Sequence, residues 1–304
     1  VEQKSESLAK EGAYMGRIGL VVEGGGMKCA YSAGILDRFL DDHVTFDYAI
    51  GVSAGASSTA SYLAGQRGRN LRFYTTHIHE KGYFGIGSFL KTGDLFGLDY
   101  IYKTLTNSNG ADPLDFPALM KNPADYEVVA TNANTGKPAY FDKSVMRQDD
   151  YIQIIASCCL PAACRPRIID NVPYYDGGVS DPLPADRALT HGGCDKVVVI
   201  MTKPRDFEKK PEGMKAVYHH RCKMYPEIVK LLDNRHITYM EHFRHIFDLE
   251  KQGKAFVLCP SEHLKMSTYA MDAEANQKLY DLGVSDYNEK AAALKAFLAG
   301  KAEA

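Results

Sequence analysis

Nowhere do apolar residues run for the roughly 18 positions that a membrane-spanning helix requires. Charge of one sign is also lacking. The 36 lysines and arginines nearly balance 38 aspartates and glutamates, so no global field draws the chain to nucleic acid or to anionic membranes. There is no C-x-x-C, and the seven cysteines are odd in number, with Cys158 and Cys159 adjacent. Reduced thiols in the cytoplasm suit that pattern better than a disulfide framework. Residues 1–16 are polar and contain no apolar h-region, so they read as a polar N-terminal leader and not as a secretory signal. No internal repeat, H-E-x-x-H, paired-carboxylate motif or zinc-type Cys/His spacing occurs, and neither a metal nor another cofactor is expected.

What is present is a chain of 304 residues, 45% hydrophobic and 24% charged. That is long enough for one large core with an appendage. Residues 17–23 (RIGLVVE) form a β-branched run that stops at three glycines, followed by Ala33, Leu36 and Leu40 at helical spacing up to about Asp42. Residues 46–52 (FDYAIGV) read as a second strand and 54–63 as a helix of small residues. Residues 127–132 and 137–141 flank Asn134-Thr135-Gly136 and predict a hairpin or strand pair. The apolar run at 196–202 (KVVVIMT) reads as a buried parallel strand. A charged loop is expected over 204–215. Beyond it come mostly helix, a strand at 254–259 (KAFVLC) and two terminal helices. Strands alternating with helices predict an α/β layer architecture, and residues after about 205 could form a helical cap.

Three motifs carry chemistry. Gly51-Val52-Ser53-Ala54-Gly55 is a G-x-S-x-G sequence between a strand and a helix. A serine on so sharp a turn presents its hydroxyl outward, and the flanking glycines remove the Cβ atoms that would clash. The positive end of the following helix favours the alkoxide that develops during attack. Glu23-Gly24-Gly25-Gly26-Met27-Lys28 also follows a strand and opens a helix, so its N–H groups can converge on an anion. That anion is a phosphate or the oxyanion of an acyl intermediate. The Walker sequence is absent and the sixth position of G-x-G-x-x-G is Cys29, which disfavours a nucleotide. The serine needs a base. His191, His219, His220, His236, His242, His245 and His263 all lie downstream, as a Ser-Asp-His order would demand, but none has a distinctive setting. Asp176, before Gly177 and Gly178, ends an aromatic extended segment; alone it reads more readily as a common Asp-Gly turn than as a base.

Together these stretches resemble the patatin-like phospholipase family: EGGGMKC at 23–29, GVSAG at 51–55 and DGG at 176–178 stand in the family's order. The resemblance spans roughly residues 17–205 and includes YSAGILD at 31–37 and YLAGQ at 62–66. It implies a three-layer α/β/α fold with a central, mostly parallel sheet and a helical C-terminal region over 206–304 packed on the same core. It also implies a serine lipid acyl hydrolase with Ser53 as nucleophile and Asp176 as base. Gly24, Gly25 and Gly26 would form the oxyanion loop, with Lys28 beside it. The substrate would be a lipid or other acyl ester, met in transient contact with a membrane surface; Phe84, Ile86, Phe89 and Leu90, in a glycine-rich stretch, are candidates for that contact and read equally as buried core or a lid. Glu23 replaces the commoner aspartate and Cys29 a glycine, which puts a side chain next to the oxyanion loop. An unperturbed aspartate is a poor base for a hydroxyl, so burial that raises the pKa of Asp176 is part of the expectation. Two alternatives stand beside it: an α/β-hydrolase with a Ser-His-Asp triad, and a non-catalytic binding protein of the same fold.

Overall fold

A computed structural model describes residues 16–263 and 271–300. Eight strands form one sheet: β1 (Ile18–Val22), β2 (Tyr48–Val52), β3 (Asp125–Asn132), β4 (Pro138–Asp142), β5 (Arg167–Ile169), β6 (Val172–Asp176), β7 (Lys196–Ile200) and β8 (Ala255–Leu258). Around it lie ten α-helices among the described residues. In the first half these are α1 (Ala30–Asp41), α2 (Ala54–Leu63), α3 (Arg69–Thr75), α4 (Ile86–Thr92) and α5 (Phe116–Lys121). In the second half they are α6 (Ile152–Ser157), α7 (Ala185–Thr190), α8 (Lys215–Arg221), α9 (Pro226–Lys251) and α10 (Ala273–Leu298).

The strand order is β5-β6-β3-β2-β1-β7-β8, with β4 also pairing β3. From β3 to β8 every neighbouring pair is parallel, whereas β4, β5 and β6 join antiparallel. Successive side chains of the central strands enter two cores. Leu20, Val22, Val198 and Ile200 face one, and Val21, Ile50, Val197 and Val199 face the other. A strand covered on both faces has no solvent side to mark with polar residues, which is why these segments read as unbroken apolar runs. The hairpin at 134–136 closes as its composition predicts: Asn132 Oδ1 accepts the N–H groups of Asn134 and Thr135, and Gly136 takes φ 69°.

The C-terminal third differs in part from the sequence reading. β8 pairs with β7 inside the same sheet, so residues after 205 do not close off as a cap. α9 buries Tyr239, Phe243, Ile246 and Leu249 in the core on one face of the sheet, while Ile228 and Leu232 at its start enter the other core. Where two terminal helices were expected, one continuous helix of 26 residues stands among the described residues. α10 packs on α1, with Gly34 and Gly283 each against the other helix's backbone, and Tyr31 and Tyr280 donate to Asp286 and Asp37 across the contact. No helix of the described residues is long and apolar enough to cross a membrane.

Candidate active site

The carboxyl ends of β1, β2 and β7 meet at one place. β1 has β2 on one side and β7 on the other, so the chain's crossovers diverge there, and such a switch point leaves a crevice outside the strand ends. Residues 23–26 leave β1, Ser53 leaves β2 and Thr202-Lys203 leave β7, all at this crevice.

Ser53 sits in a backbone conformation that side chains rarely adopt, φ 54° and ψ −132°, immediately before α2. The turn is tight on both sides. A Cβ at Gly51 would lie 2.4 Å from the Ala56 Cα, and one at Gly55 would lie 2.5 Å from the Glu23 carbonyl oxygen. Both obstacles are backbone, so glycine is required at each position. The Ser53 N–H donates to Ser157 Oγ at 2.8 Å, which ties the turn to the end of α6. Gly24 packs directly against Ser53. The backbone N–H groups of Gly24, Gly25 and Gly26 donate to no other group among the described residues.

Asp176 closes β6, held where Thr131 Oγ1 donates to its carbonyl and its own N–H donates to the Cys159 carbonyl. Gly177 lies so close to the Val129 carbonyl that no side chain fits. The carboxylate is 2% exposed. Its Oδ1 accepts the Gly178 N–H at 2.8 Å, while Oδ2 has no hydrogen-bond partner of full geometry. Burial raises its pKa above the usual aspartate value, against the opposing effects of the Ser53 hydroxyl, Arg235 and the Gly178 N–H.

Ser53 opens onto two cavities. One, of about 60 Å³, is apolar and runs between Met27, Phe73, Phe96, Leu98, Ile101 and Tyr102. The other, of about 250 Å³, is polar; Asp176, Glu23, Lys203, Lys209, Arg235 and Tyr239 line it together with Gly24, Gly25 and Gly26. No histidine lines either one. His242 faces Asp181 at 3.4 Å, and His219, His245 and His263 pair with Asp233, Asp186 and Asp206.

Glu23 is fully engaged. Its Oε2 accepts the Thr202 N–H and hydroxyl, and its Oε1 accepts the Lys203 ammonium at 2.8 Å and the Tyr239 hydroxyl at 2.7 Å. Burial works to raise its pKa, but Lys203 and these donors outweigh it and hold the carboxyl below its usual range. It therefore pins the glycine loop to β7 and α9. Cys29 points into the core, its thiol 3.6 Å from the Glu23 carbonyl, and lines neither cavity. Lys28 also lines neither. It is half-buried, and burial together with repulsion from Lys203 and Lys209 pulls its pKa below the usual lysine value. Of the expected interfacial residues, Leu90 is 80% exposed and Phe89 lies under the Arg221 guanidinium, while Phe84 packs on Phe96; the Ile86 side chain is outside the described residues.

Sequence reasoning missed Ser157, Lys203, Lys209, Glu212, Arg235 and Tyr239. Lys203 had a signal, since it directly follows a parallel strand, where ligands gather. Arg235 and Tyr239 had none, because a long amphipathic helix does not reveal which of its turns faces a cavity.

The family model for patatin-like phospholipases (Patatin) matches residues 20–189, and that of a domain of unknown function (DUF6363) matches residues 225–299. Uncharacterized protein YjjU of Escherichia coli (strain K12) is 25% identical over 272 residues, covering 88% of this chain and 75% of that protein. Among solved structures, VipD from Legionella pneumophila aligns over 91% of this chain and 68% of its own, at 12% identity and a TM-score of 0.47.

Proposed function

The chain belongs to the patatin-like phospholipase family, and from that premise we propose that it is a serine lipid acyl hydrolase working through Ser53 and Asp176. One observation carries the reading: a serine on a strained turn and a buried carboxylate with a free oxygen line the same cavity, beside three glycine N–H groups with no other partner.

The steps follow from these placements. Ser53 Oγ attacks the ester carbonyl carbon as Asp176 Oδ2 takes the hydroxyl proton. The carbonyl oxygen becomes an oxyanion received by the N–H groups of residues 24–26, where preorganised donors are worth several kcal/mol. The C–O bond to the alcohol then breaks, Asp176 returns its proton to the departing oxygen, and the acyl group stays on Ser53. Water, deprotonated by Asp176, attacks the acyl-enzyme and releases the fatty acid, and the proton returns to Ser53. A raised pKa makes Asp176 a stronger base than an exposed aspartate, which suits a carboxylate acting without histidine. The apolar cavity takes the acyl chain.

A cytoplasmic setting belongs to the same reading, and seven free, buried cysteines support it. Approach to a lipid surface is assigned to α4, where Leu90 is exposed. The test is turnover of p-nitrophenyl esters and phospholipids by the single and double variants. Ser53→Ala should lower kcat/KM by about 10⁶ and Asp176→Asn by about 10² to 10⁴, and the double variant should fall no further than the worse single. Additive losses, or turnover that survives Ser53→Ala, contradict the proposal.

A further inference from the structure

The apolar cavity beside Ser53 is short. One face of α2 lines it through Ala54, Ser57 and Ser58, and the next turn does not: Ser61 Oγ instead accepts the Arg69 guanidinium at 2.8 Å. The cavity therefore follows α2 for a single turn beyond the nucleophile. The advance from Ser53 to Ser58 is about 7.5 Å at the helical rise.

The end of that path is built and buried. The Ser58 and Tyr74 hydroxyls hydrogen-bond each other at 3.2 Å, and Asn70 Nδ2 donates to the Ser58 carbonyl at 3.0 Å. All three residues line the cavity and are buried. Tyr74 is also fixed from behind, because its carbonyl accepts Asn276 Nδ2 at 2.6 Å. Asn276 belongs to α10, within the 225–299 segment matched by the domain of unknown function. The side walls are aromatic: Tyr83 donates to the Phe73 carbonyl at 2.8 Å, and the Tyr102 hydroxyl lies 3.4 Å from the Cys158 thiol. Moving Tyr74, Tyr83 or Tyr102 aside breaks a buried hydrogen bond, and a buried hydroxyl left unmatched costs more than one buried methylene gains.

Two measures of capacity agree. A volume of about 60 Å³ holds about four to six water-sized groups at roughly 10–15 Å³ each, and a methylene is of that size. Carbon–carbon bonds of ~1.5 Å at ~111° advance a chain by about 1.25 Å per carbon, so about 7.5 Å takes about six. A longer chain must part Ser58 from Tyr74. The polar cavity, at about 250 Å³, leaves far more room on the alcohol side of the ester.

We propose that the apolar cavity is an acyl subsite of fixed length that selects esters of short-chain acids, about four to six carbons beyond the carbonyl, and that Ser58 and Tyr74 set the limit. The larger part of such a substrate is its alcohol, in the polar cavity. The proposal rests on the reading of Ser53 as nucleophile.

The experiment measures kcat/KM on p-nitrophenyl acetate, butyrate, hexanoate, octanoate, decanoate and laurate in one detergent buffer. For the wild type it should rise by up to about fourfold per methylene as far as hexanoate. It should then fall by about tenfold or more by laurate, as overfilling a packed interior does. Tyr74→Ala opens the end of the cavity and should move the optimum to octanoate or decanoate. Ser58→Leu fills it and should move the optimum to butyrate or acetate. Thermal melts identify the folded variants, and the wild-type profile with either folded variant decides the matter. A wild-type optimum at octanoate or beyond overturns the proposal, as does a steady fall from acetate, or an optimum that a folded variant leaves at hexanoate. Failure of the underlying reading looks different: Ser53→Ala would still hydrolyse the acetate ester, whose single methyl needs no cavity.

Discussion

Replacing Ser53 by glycine should yield a dead protein that is more stable than the alanine variant, although glycine ordinarily destabilises. The backbone at Ser53 has φ 54° and ψ −132°. A non-glycine residue held in a sparsely populated region of this kind costs about 1–3 kcal/mol. Ser53→Ala and Ser53→Gly lose the same hydroxyl and leave Asp176 with the same missing neighbour, so their difference isolates the Cβ. Glycine removes the strain but gives the unfolded chain more freedom, which returns about 0.5–1 kcal/mol. The balance is about 1 kcal/mol in favour of glycine, or about 2 °C in Tm at this chain length. Urea unfolding and thermal melts of both variants measure it, with ester hydrolysis to verify that both are inactive. A glycine variant that melts at or below the alanine variant refutes the idea that folding energy is stored at this turn.

Further outcomes follow from neighbouring contacts. Because burial raises the pKa of Asp176, the folded protein holds that proton more tightly than the unfolded chain. This group's contribution is full below its unfolded pKa and is lost as pH rises through the folded value. Asp176→Asn should therefore melt above wild type at pH 7, with the gap closing toward pH 4. Glu23 has the opposite sign: its lowered pKa contributes stability above the unfolded value that is lost as pH falls through the folded one. Glu23→Gln, which leaves the Lys203 ammonium buried without its counter-charge, should cost about 3–5 kcal/mol at pH 7 in urea titrations and less in acid. Gly55→Ala would drive a Cβ against the Val22 and Glu23 carbonyls. It should cost about 1–3 kcal/mol by denaturant titration and lower kcat about 10²-fold by displacing Ser53. Arg235→Gln removes a charge that favours ionised Asp176, so the acid limb of the kcat/KM profile should move to higher pH.

The parallel strands were legible because burial on both faces leaves a continuous apolar run, as in β1, β2 and β7. α2 was legible because its small residues pack against the glycine turns. The tight turns at Ser53 and at Gly24, Gly25 and Gly26 were legible because each is a local device written in adjacent residues. Asp176 could not be secured that way. Its place depends on β6 pairing with β3, so that Asp176 stands beside Ala130, and on the Val129 carbonyl that Gly177 admits. The charged lining of the polar cavity was illegible for the same reason: Lys203, Lys209 and Arg235 converge only when α9 lies on the sheet. Where the sequence suggested two terminal helices, the described residues after β8 hold one, α10. Gly283, a weak helix former at its middle, is placed there by the close approach to the Tyr31 carbonyl.

The central claim is that Ser53, activated by Asp176, is the nucleophile. The most direct measurement is the rate and position of covalent labelling by a fluorophosphonate, read by intact mass and peptide mapping. A single adduct on the peptide containing Ser53, absent from Ser53→Ala and formed far more slowly by Asp176→Asn, is the predicted result. An adduct that persists in Ser53→Ala, or labelling of Ser53 at an undiminished rate in Asp176→Asn, would contradict it.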